Sequence, residues 1–150
     1  METRTIHKKL QGIQSSLKAP KGQTNKFGGY SYRSAEDILT AVKPLLRENA
    51  CTLVISDDIV GVEGRVYVKA TAVLAEAGSD YSIQVNGFAR ESETRKGMDD
   101  SQITGSASSY ARKYALNGLF AIDDTKDADA TNDHGKSKQG RTLADATFDL

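Results

Sequence analysis

Apolar residues recur along this chain with two periods, one typical of helices and one typical of strands. The first apolar positions lie three or four residues apart, which predicts an amphipathic helix over residues 4–17. A second helix is predicted after Ser34, because Ser34 and Asp37 have the spacing of a capping box. Pro44 is expected to kink or restart this helix, and Asn49 to end it in the left-handed conformation.

Between residues 51 and 90 the pattern changes to alternation, which predicts three strands. The first covers residues 51–60, and Asp57 and Asp58 are expected to mark a bulge or the strand end. The second covers residues 65–75, and the third follows a turn at residues 77–79. In the second strand the apolar positions share one face: Val66, Val68, Ala70, Ala72 and Leu74. We expect an antiparallel β-meander whose apolar face is covered by helices, an α+β fold.

A third, long helix is predicted from the acidic start at Asp99 to the stop signal Asn117-Gly118. At 100° per residue one narrow stripe is expected to be buried: Ile103, Ala107, Tyr110 and Tyr114. The two tyrosines are therefore assigned to the core. Arg112 and Lys113 point away from this stripe, beside small residues that allow another surface to approach closely.

Residues 18–33 have the composition of a loop in which cations alternate with aromatic rings. Cations along a loop can follow phosphates, and aromatic rings can stack on unpaired bases, so this combination suits a single strand of nucleic acid. In the alternative interpretation, the aromatic side chains anchor the loop to the domain. The polar face of the predicted sheet also has two interpretations: it is either a solvated surface or an extension of a nucleic-acid-binding groove.

Charge is distributed unevenly, although the net charge is zero. Residues 1–120 carry 16 Lys or Arg against 13 Asp or Glu, whereas residues 121–150 carry 4 against 7. We expect a folded domain over residues 1–122 and an acidic, disordered tail over residues 123–150. No apolar run approaches the roughly 20 residues that span a bilayer. The single cysteine, Cys51, fits a reducing cytoplasm and a place in the core.

The sequence contains no recognisable catalytic motif. The two histidines and the cysteine form no metal-binding motif, and no nucleotide-binding glycine motif is present. The best candidate for Mg²⁺ ligands is the pair of dipeptides Asp99-Asp100 and Asp123-Asp124, which keeps a metal-dependent nuclease as an alternative. A second alternative is a scaffold domain whose basic loop contacts an acidic partner. The interpretation that we favour is a binding protein with no enzymatic activity, no cofactor and no metal.

Two ordered motifs carry a family resemblance. The stretch Gln102-Ile103-x-Gly105-Ser106-Ala107-x-x-Tyr110-Ala111-Arg112-Lys113-Tyr114-Ala115-Leu116, followed by Asp123-Asp124, resembles the signature of the ERF family of phage single-strand annealing proteins. A second stretch lies upstream at the expected place: Tyr30-x-Tyr32-x-Ser34-x-x-Asp37-Ile38. Together the two motifs frame roughly residues 5 to 130.

The resemblance implies a protein that coats single-stranded DNA and pairs complementary strands without ATP in phage recombination. It also implies rings or helical assemblies of identical subunits and a fold related to the Rad52-type annealing core. The expected partners are single-stranded DNA, further copies of the chain, and either a phage exonuclease or a host single-strand-binding protein, and no membrane is involved. We expect the phosphate backbone to follow a basic groove, with Tyr30 stacking on a base. The candidate DNA-binding residues are Lys21, Lys26, Tyr30, Arg33, Lys69, Arg90, Arg112 and Lys113.

Overall fold

The computed structural model describes residues 2–93 and 97–122, with side chains from residue 5 onward. The predicted α+β arrangement is confirmed, because a three-stranded antiparallel sheet packs against a long C-terminal helix. The predicted tail, residues 123–150, lies outside the described residues. The elements are α1 (Glu2–Ser16), β1 (Gln23–Asn25), β2 (Tyr30–Tyr32), α2 (Ala35–Glu48), β3 (Cys51–Val62), β4 (Arg65–Glu76), β5 (Ser82–Arg90) and α3 (Asp100–Phe120).

The sheet has the order β3-β4-β5, and its central strand shows the predicted alternation. Four alternate side chains of β4 are at most 1% exposed: Val68, Ala70, Ala72 and Leu74. Val66 was expected on the same buried face but is 40% exposed. The alternation therefore predicts the correct face of the sheet and overestimates how far its cover extends.

Helix α3 lies very close to β5 because β5 has a glycine at the point of contact. A Cβ added to Gly87 would lie 2.3 Å from the carbonyl oxygen of Ala111 and 2.4 Å from the backbone nitrogen of Ala115. Both alanines are fully buried. Glycine is therefore the residue that permits this backbone-to-backbone approach.

Two predicted interruptions do not occur. Strand β3 continues through Asp57 and Asp58, which pair with Ala70 and Lys69 of β4, so the expected bulge or strand end is wrong. Asp57 lies on the face that α3 covers, where partners on α3 satisfy its carboxylate. Helix α2 likewise continues through Pro44, so the expected restart is wrong and the expected kink stays a prediction; the apolar side of the helix is held in the core.

Both predicted helix starts are confirmed, and the structure shows a capping box at each of them. The Ser34 hydroxyl accepts a hydrogen bond from the Asp37 backbone N–H at 3.1 Å, and the Asp37 carboxylate accepts one from the Ser34 N–H at 2.8 Å. Asp99 and Gln102 make the equivalent pair at the start of α3. These motifs are recognisable in sequence because all their partners lie within one turn.

The predicted end of α2 at Asn49 is confirmed but its left-handed conformation is wrong, and the predicted end of α3 is wrong by a few residues. Asn49 caps α2 with φ −98°, and the left-handed residue is Ala50, with φ 52°. Helix α3 continues past Asn117-Gly118 to Phe120 and ends at the left-handed Ala121. Phe120 is 1% exposed, so burial of the last turn outweighs the local stop signal.

The segment predicted as a loop, residues 18–33, contains a short hairpin. Strands β1 and β2 pair antiparallel, with Gln23 opposite Tyr32 and Asn25 opposite Tyr30. Gly29 takes φ +65° in the connecting turn, and the Asn25 side chain accepts the backbone N–H of Phe27 at 2.8 Å. The hairpin stands beside α3 and forms one wall of the first cleft described next.

Candidate nucleic-acid interface

An open cleft of about 330 Å³ separates the hairpin and the start of α2 from the outer side of α3. We call it the basic cleft, because Arg33 and Lys113 both line it. Lys113 belongs to one motif and Arg33 lies at an unmatched position within the other, so the fold brings the two motif segments together. The remaining lining residues are Gln23, Tyr32, Ser34, Ala35, Glu36, Ser106, Ser109 and Tyr110.

Lys113 is unusually enclosed for a lysine. Its side chain is 7% exposed, and its Nζ lies 5.7 Å from the centre of the Tyr32 ring. A cation at this distance from an aromatic face is attracted by the negative potential of the ring. Tyr32 therefore holds the ammonium group of Lys113 at the cleft wall.

Arg33 is held by the chain that precedes the hairpin. Its Nε donates a hydrogen bond to the carbonyl oxygen of Ala19, which fixes the base of the guanidinium group. Arg33 also lines a second opening, of about 490 Å³, beside Lys18 and the end of α3. The guanidinium group of Arg33 therefore lies between the basic cleft and this opening.

Asp37 stabilises the wall that carries Arg33. The hydrogen bond from the Ser34 backbone N–H lowers the pKa of this carboxyl below its ordinary value, and burial opposes the effect. The Gln23 side chain and the charge of Arg33 lower the pKa further. The ionised Asp37 thus connects the hairpin to the first turn of α2.

Tyr30, the predicted stacking residue, is partly engaged within the hairpin. Its hydroxyl accepts a hydrogen bond from the Asn25 side-chain amide at 3.0 Å, and its ring centre lies 6.2 Å from that of Tyr32. The side chain is half-buried. Beyond it, Lys26 and Phe27 are exposed at the hairpin tip. Whether Tyr30 stacks on a base stays a prediction.

A neighbouring cleft of about 320 Å³ lies between α3 and β5, and we call it the tyrosine cleft. Tyr110 and Tyr114 line it and are 50% and 47% exposed. Their ring centres are 6.3 Å apart and their planes differ by 29°. Phe88 and Arg90 form its other side. Ser106 and Tyr110 line both clefts, so Tyr110 stands on the ridge between them.

The assignment of these two tyrosines to the core is therefore wrong. The backbones of Ala111 and Ala115 lie against Gly87 of β5, and Ala107, one turn earlier on the helix, is buried as well. Tyr110 and Tyr114 each precede a buried alanine by one residue, so they point about 100° away from it, past the edge of β5. In the sequence, the alanines at intervals of four and the glycine at position 87 indicate which side of α3 packs closely on β5.

Arg112 lies on a different side of α3 from Lys113. Its Nε lies 3.1 Å from Asp57 Oδ1, and its Nη2 donates to Asp57 Oδ2 at 3.3 Å. Ser108 donates to the same carboxylate at 2.5 Å. Arg112 thus joins α3 to β3 and does not line either cleft.

The other predicted cations are spread over the surface. Arg90 lines the tyrosine cleft. Lys69 lies on the opposite face of the sheet, in register with Phe88. Lys21 precedes the hairpin, and Lys26 lies in its turn. The fold therefore groups Arg33, Lys113 and Arg90 around Tyr110, whereas the remaining predicted cations lie outside the two clefts.

Asp99 and Cys51, two residues with chemically reactive side chains, have structural roles in the described part of the chain. Residues 2–93 and 97–122 contain no group of three or more His, Cys, Asp or Glu arranged to hold a metal ion. Asp99, a candidate metal ligand, uses its carboxylate as the cap of α3, and Asp123-Asp124 lies outside the described residues. Cys51 is buried as predicted, and its burial raises the pKa of its thiol. None of the helices in the described part of the chain has the length and apolar character needed to cross a membrane.

Comparison with known proteins places both clefts within a matched region. The family model described as the ERF superfamily matches residues 6–146. A relative from Salmonella phage P22, named "Essential recombination function protein", is 51% identical over 145 residues, which cover 97% of this chain and 68% of that protein. No solved structure matches the chain.

Proposed function

The chain belongs to the ERF superfamily, and we propose from this membership that it acts in recombination by binding single-stranded DNA and pairing complementary strands without ATP. The phage P22 relative is named for an essential recombination function, which supports the recombination role. The basic cleft supports the more specific proposal of strand binding. It contributes two cations, Arg33 and Lys113, against one acidic residue, Glu36.

The basic cleft is the observation that carries this proposal. It is open and bordered by cations, serine hydroxyls and aromatic rings, all of which suit a sugar-phosphate chain with unpaired bases. Pairing with a second strand requires the hydrogen-bonding edges of the bases to stay free, so the strand must be held mainly through its phosphates. Lys113 and Arg33 are the phosphate contacts in this proposal, and Lys26 and Arg90 extend the path on either side.

If the subunits assemble, weak contacts between each subunit and the DNA are sufficient for stable binding of the strand. When several identical subunits bind one strand, each later contact forms within the same complex, at a high effective concentration. We therefore propose that the subunits assemble side by side along the DNA, as the family resemblance implies. The affinity of one cleft can then stay low enough to release the paired product.

The test is the rate at which two dye-labelled complementary oligonucleotides anneal, without ATP or metal, at low and moderate salt. We expect faster pairing than in the protein-free reaction, intact strands, and a loss of activity as salt rises. Pairing at the uncatalysed rate at every salt concentration would contradict the proposal. Degradation of the strands on addition of Mg²⁺ would favour the nuclease alternative.

Variants of α3 test the position of the strand. Lys113→Met keeps most of the apolar stem but removes the charge, so we expect weaker binding to every DNA sequence. The slope of log K against log salt concentration should become smaller by about 0.7, the value of one phosphate contact on a single strand. Lys43→Met is the matched control, because Lys43 is exposed on α2 and lines neither cleft. An unchanged affinity in Lys113→Met, with the fold intact, would remove the basic cleft from the strand path.

A further inference from the structure

The tyrosine cleft is an exposed aromatic surface that the packing of the domain does not explain. Tyr110 and Tyr114 are each about half exposed, although the backbones of α3 and β5 are in close contact beneath them. Adjacent aromatic rings that share one exposed surface, unlike a single exposed ring, mark a site where a ligand or a partner binds. This cluster therefore indicates a ligand with flat, apolar faces.

From this cluster we propose that the pair Tyr110 and Tyr114 is a stacking platform for the bases of single-stranded DNA. The proposal rests on the strand-binding function proposed above and adds the site that holds the bases. Stacking uses the face of a base and leaves its pairing edge free. A platform of this kind is compatible with annealing, because a complementary strand can still reach the exposed edges.

The position of Tyr110 connects the platform to the basic cleft. Ser106 and Tyr110 line both clefts, and Lys113 follows Tyr110 by three residues on the same helix. A strand whose phosphates lie against Lys113 and Arg33 therefore has its bases beside the tyrosine pair. The two clefts then hold the two parts of one nucleotide chain.

Charge favours DNA over an apolar protein segment as the occupant. Arg90 lines the tyrosine cleft, which has no acidic residue among its described lining residues, and its guanidinium group can contribute a phosphate contact or a cation–π contact. Among the described residues that line the two clefts, the cations are Arg33, Arg90 and Lys113, and the acidic residue is Glu36. An excess of cations beside aromatic rings is expected of a site that binds a polyanion with aromatic bases.

The experiment compares two oligonucleotides of equal length, one of deoxythymidylate and one of abasic residues. Affinity is measured by fluorescence anisotropy at one salt concentration for the protein and its variants. We expect the double variant Tyr110→Ala, Tyr114→Ala to bind the thymidylate strand about 10-fold more weakly, which corresponds to the loss of a stacked base. We expect the same variant to bind the abasic strand within about twofold of the unmodified protein, since phosphate contacts remain.

Two further variants serve as controls. Tyr110→Phe, Tyr114→Phe keeps both rings, so we expect it to bind like the unmodified protein. Tyr81→Ala removes a tyrosine that is 37% exposed at the other end of β5, and we expect no change in affinity. Circular dichroism melts establish that each variant is folded before its affinity is interpreted.

A second readout is direct, because the chain contains no tryptophan and its emission comes from tyrosine. Stacking on a thymine should quench the emission of the two platform rings, and the abasic strand should leave it unchanged. We expect the quenching to be much smaller in the double phenylalanine variant, which still binds. A purely structural role for the tyrosines would not produce this difference.

Several outcomes would overturn the platform. Equal losses on both strands, or no loss on either, would contradict it. A change in oligomer size on mutation, measured by sedimentation without DNA, would instead assign the tyrosines to a contact between copies of the chain. If the unmodified protein binds neither strand, the proposed function itself fails; if it binds both strands equally well, strand binding stands and the platform is wrong.

Discussion

The two sides of helix α3 (Asp100–Phe120) differ in what limits the size of their side chains. The side facing the sheet carries Ala107, Ala111 and Ala115, all buried, and the backbone of Ala111 and Ala115 lies directly against Gly87. The side facing the clefts carries Tyr110 and Tyr114, both about half exposed. On the first side the helix carries only methyl groups and the facing Gly87 has no room for one, whereas on the second side a phenol ring fits.

This difference shows that one helix can separate stability from binding by position alone. Small residues on the sheet side allow a close backbone contact, which fixes the helix and therefore the positions of its outer side chains. The cleft side contributes less to packing, so its residues are available to contact a ligand. Residues such as Tyr110 and Ala111, adjacent in sequence, consequently have unrelated roles.

Gly87→Ala should have the largest effect on this comparison. The added Cβ would lie 2.3 Å from a backbone oxygen of α3, and backbone atoms cannot rotate away as a side chain can. We expect the free energy of unfolding to fall by about 3 kcal/mol or more, as measured by urea denaturation. Gly105→Ala is the control, because its Cβ would meet nothing within 4 Å in exposed helix; it should raise stability by about 0.5–1 kcal/mol. Equal stabilities for the two variants would remove the distinction between the two sides.

Ser34→Ala should have an intermediate effect, on the wall opposite the cleft side of α3. It removes the hydroxyl that caps α2, and we expect a loss of about 1 kcal/mol in the free energy of unfolding. Ser31→Ala, at an exposed position of β2, is the matched control and should change stability by less than about 0.5 kcal/mol. A loss as small as that of the control would mean that the cap does not hold this wall.

The same wall should make stability depend on acidic pH. The pKa of Asp37 is lower in the folded protein than its ordinary value of 3.8, so the unfolded chain binds the proton more readily. The stabilisation is complete above about pH 4 and is lost as the pH falls through the folded-state pKa. We expect Asp37→Asn to remove this part of the pH dependence, as measured by urea denaturation at a series of pH values below about 5. An unchanged pH profile would show that Asp37 makes no net contribution.

Arg112→Gln should have the smallest effect and test whether Arg112 belongs to the packed side of α3. Both partners of the ion pair with Asp57 are partly exposed, so solvent weakens it and we expect a loss of only about 0.5 kcal/mol. A double-mutant cycle with Asp57→Asn, repeated at high salt, measures the coupling and its screening. If Arg112→Gln lowers the affinity for single-stranded DNA as much as Lys113→Met does, and the cycle shows no coupling free energy with Asp57, Arg112 lies in the strand path instead.

The parts of this fold that could be predicted from sequence are those decided by neighbours along the chain. Both capping boxes involve residues three apart, and the alternation in β4 requires only a period of two. The order of helices and strands follows from these local signals. The hairpin was missed because its strands have only three residues each, too few to show a period.

The candidate site depended on contacts between residues that are distant in sequence. A helical pattern with a period of 3.6 residues shows that α3 has a buried side, but adjacent stripes of that helix fit the pattern almost equally well. Gly87 of β5 determines that Ala111, and not Tyr110, faces the sheet. Asp57 of β3 binds Arg112 and Tyr32 of the hairpin contacts Lys113, so these two cations lie on different sides of the helix. The sequence by itself determined the elements and the charges they carry; only the tertiary structure decided which side chains meet, because packing selects faces through atoms that are not local in the chain.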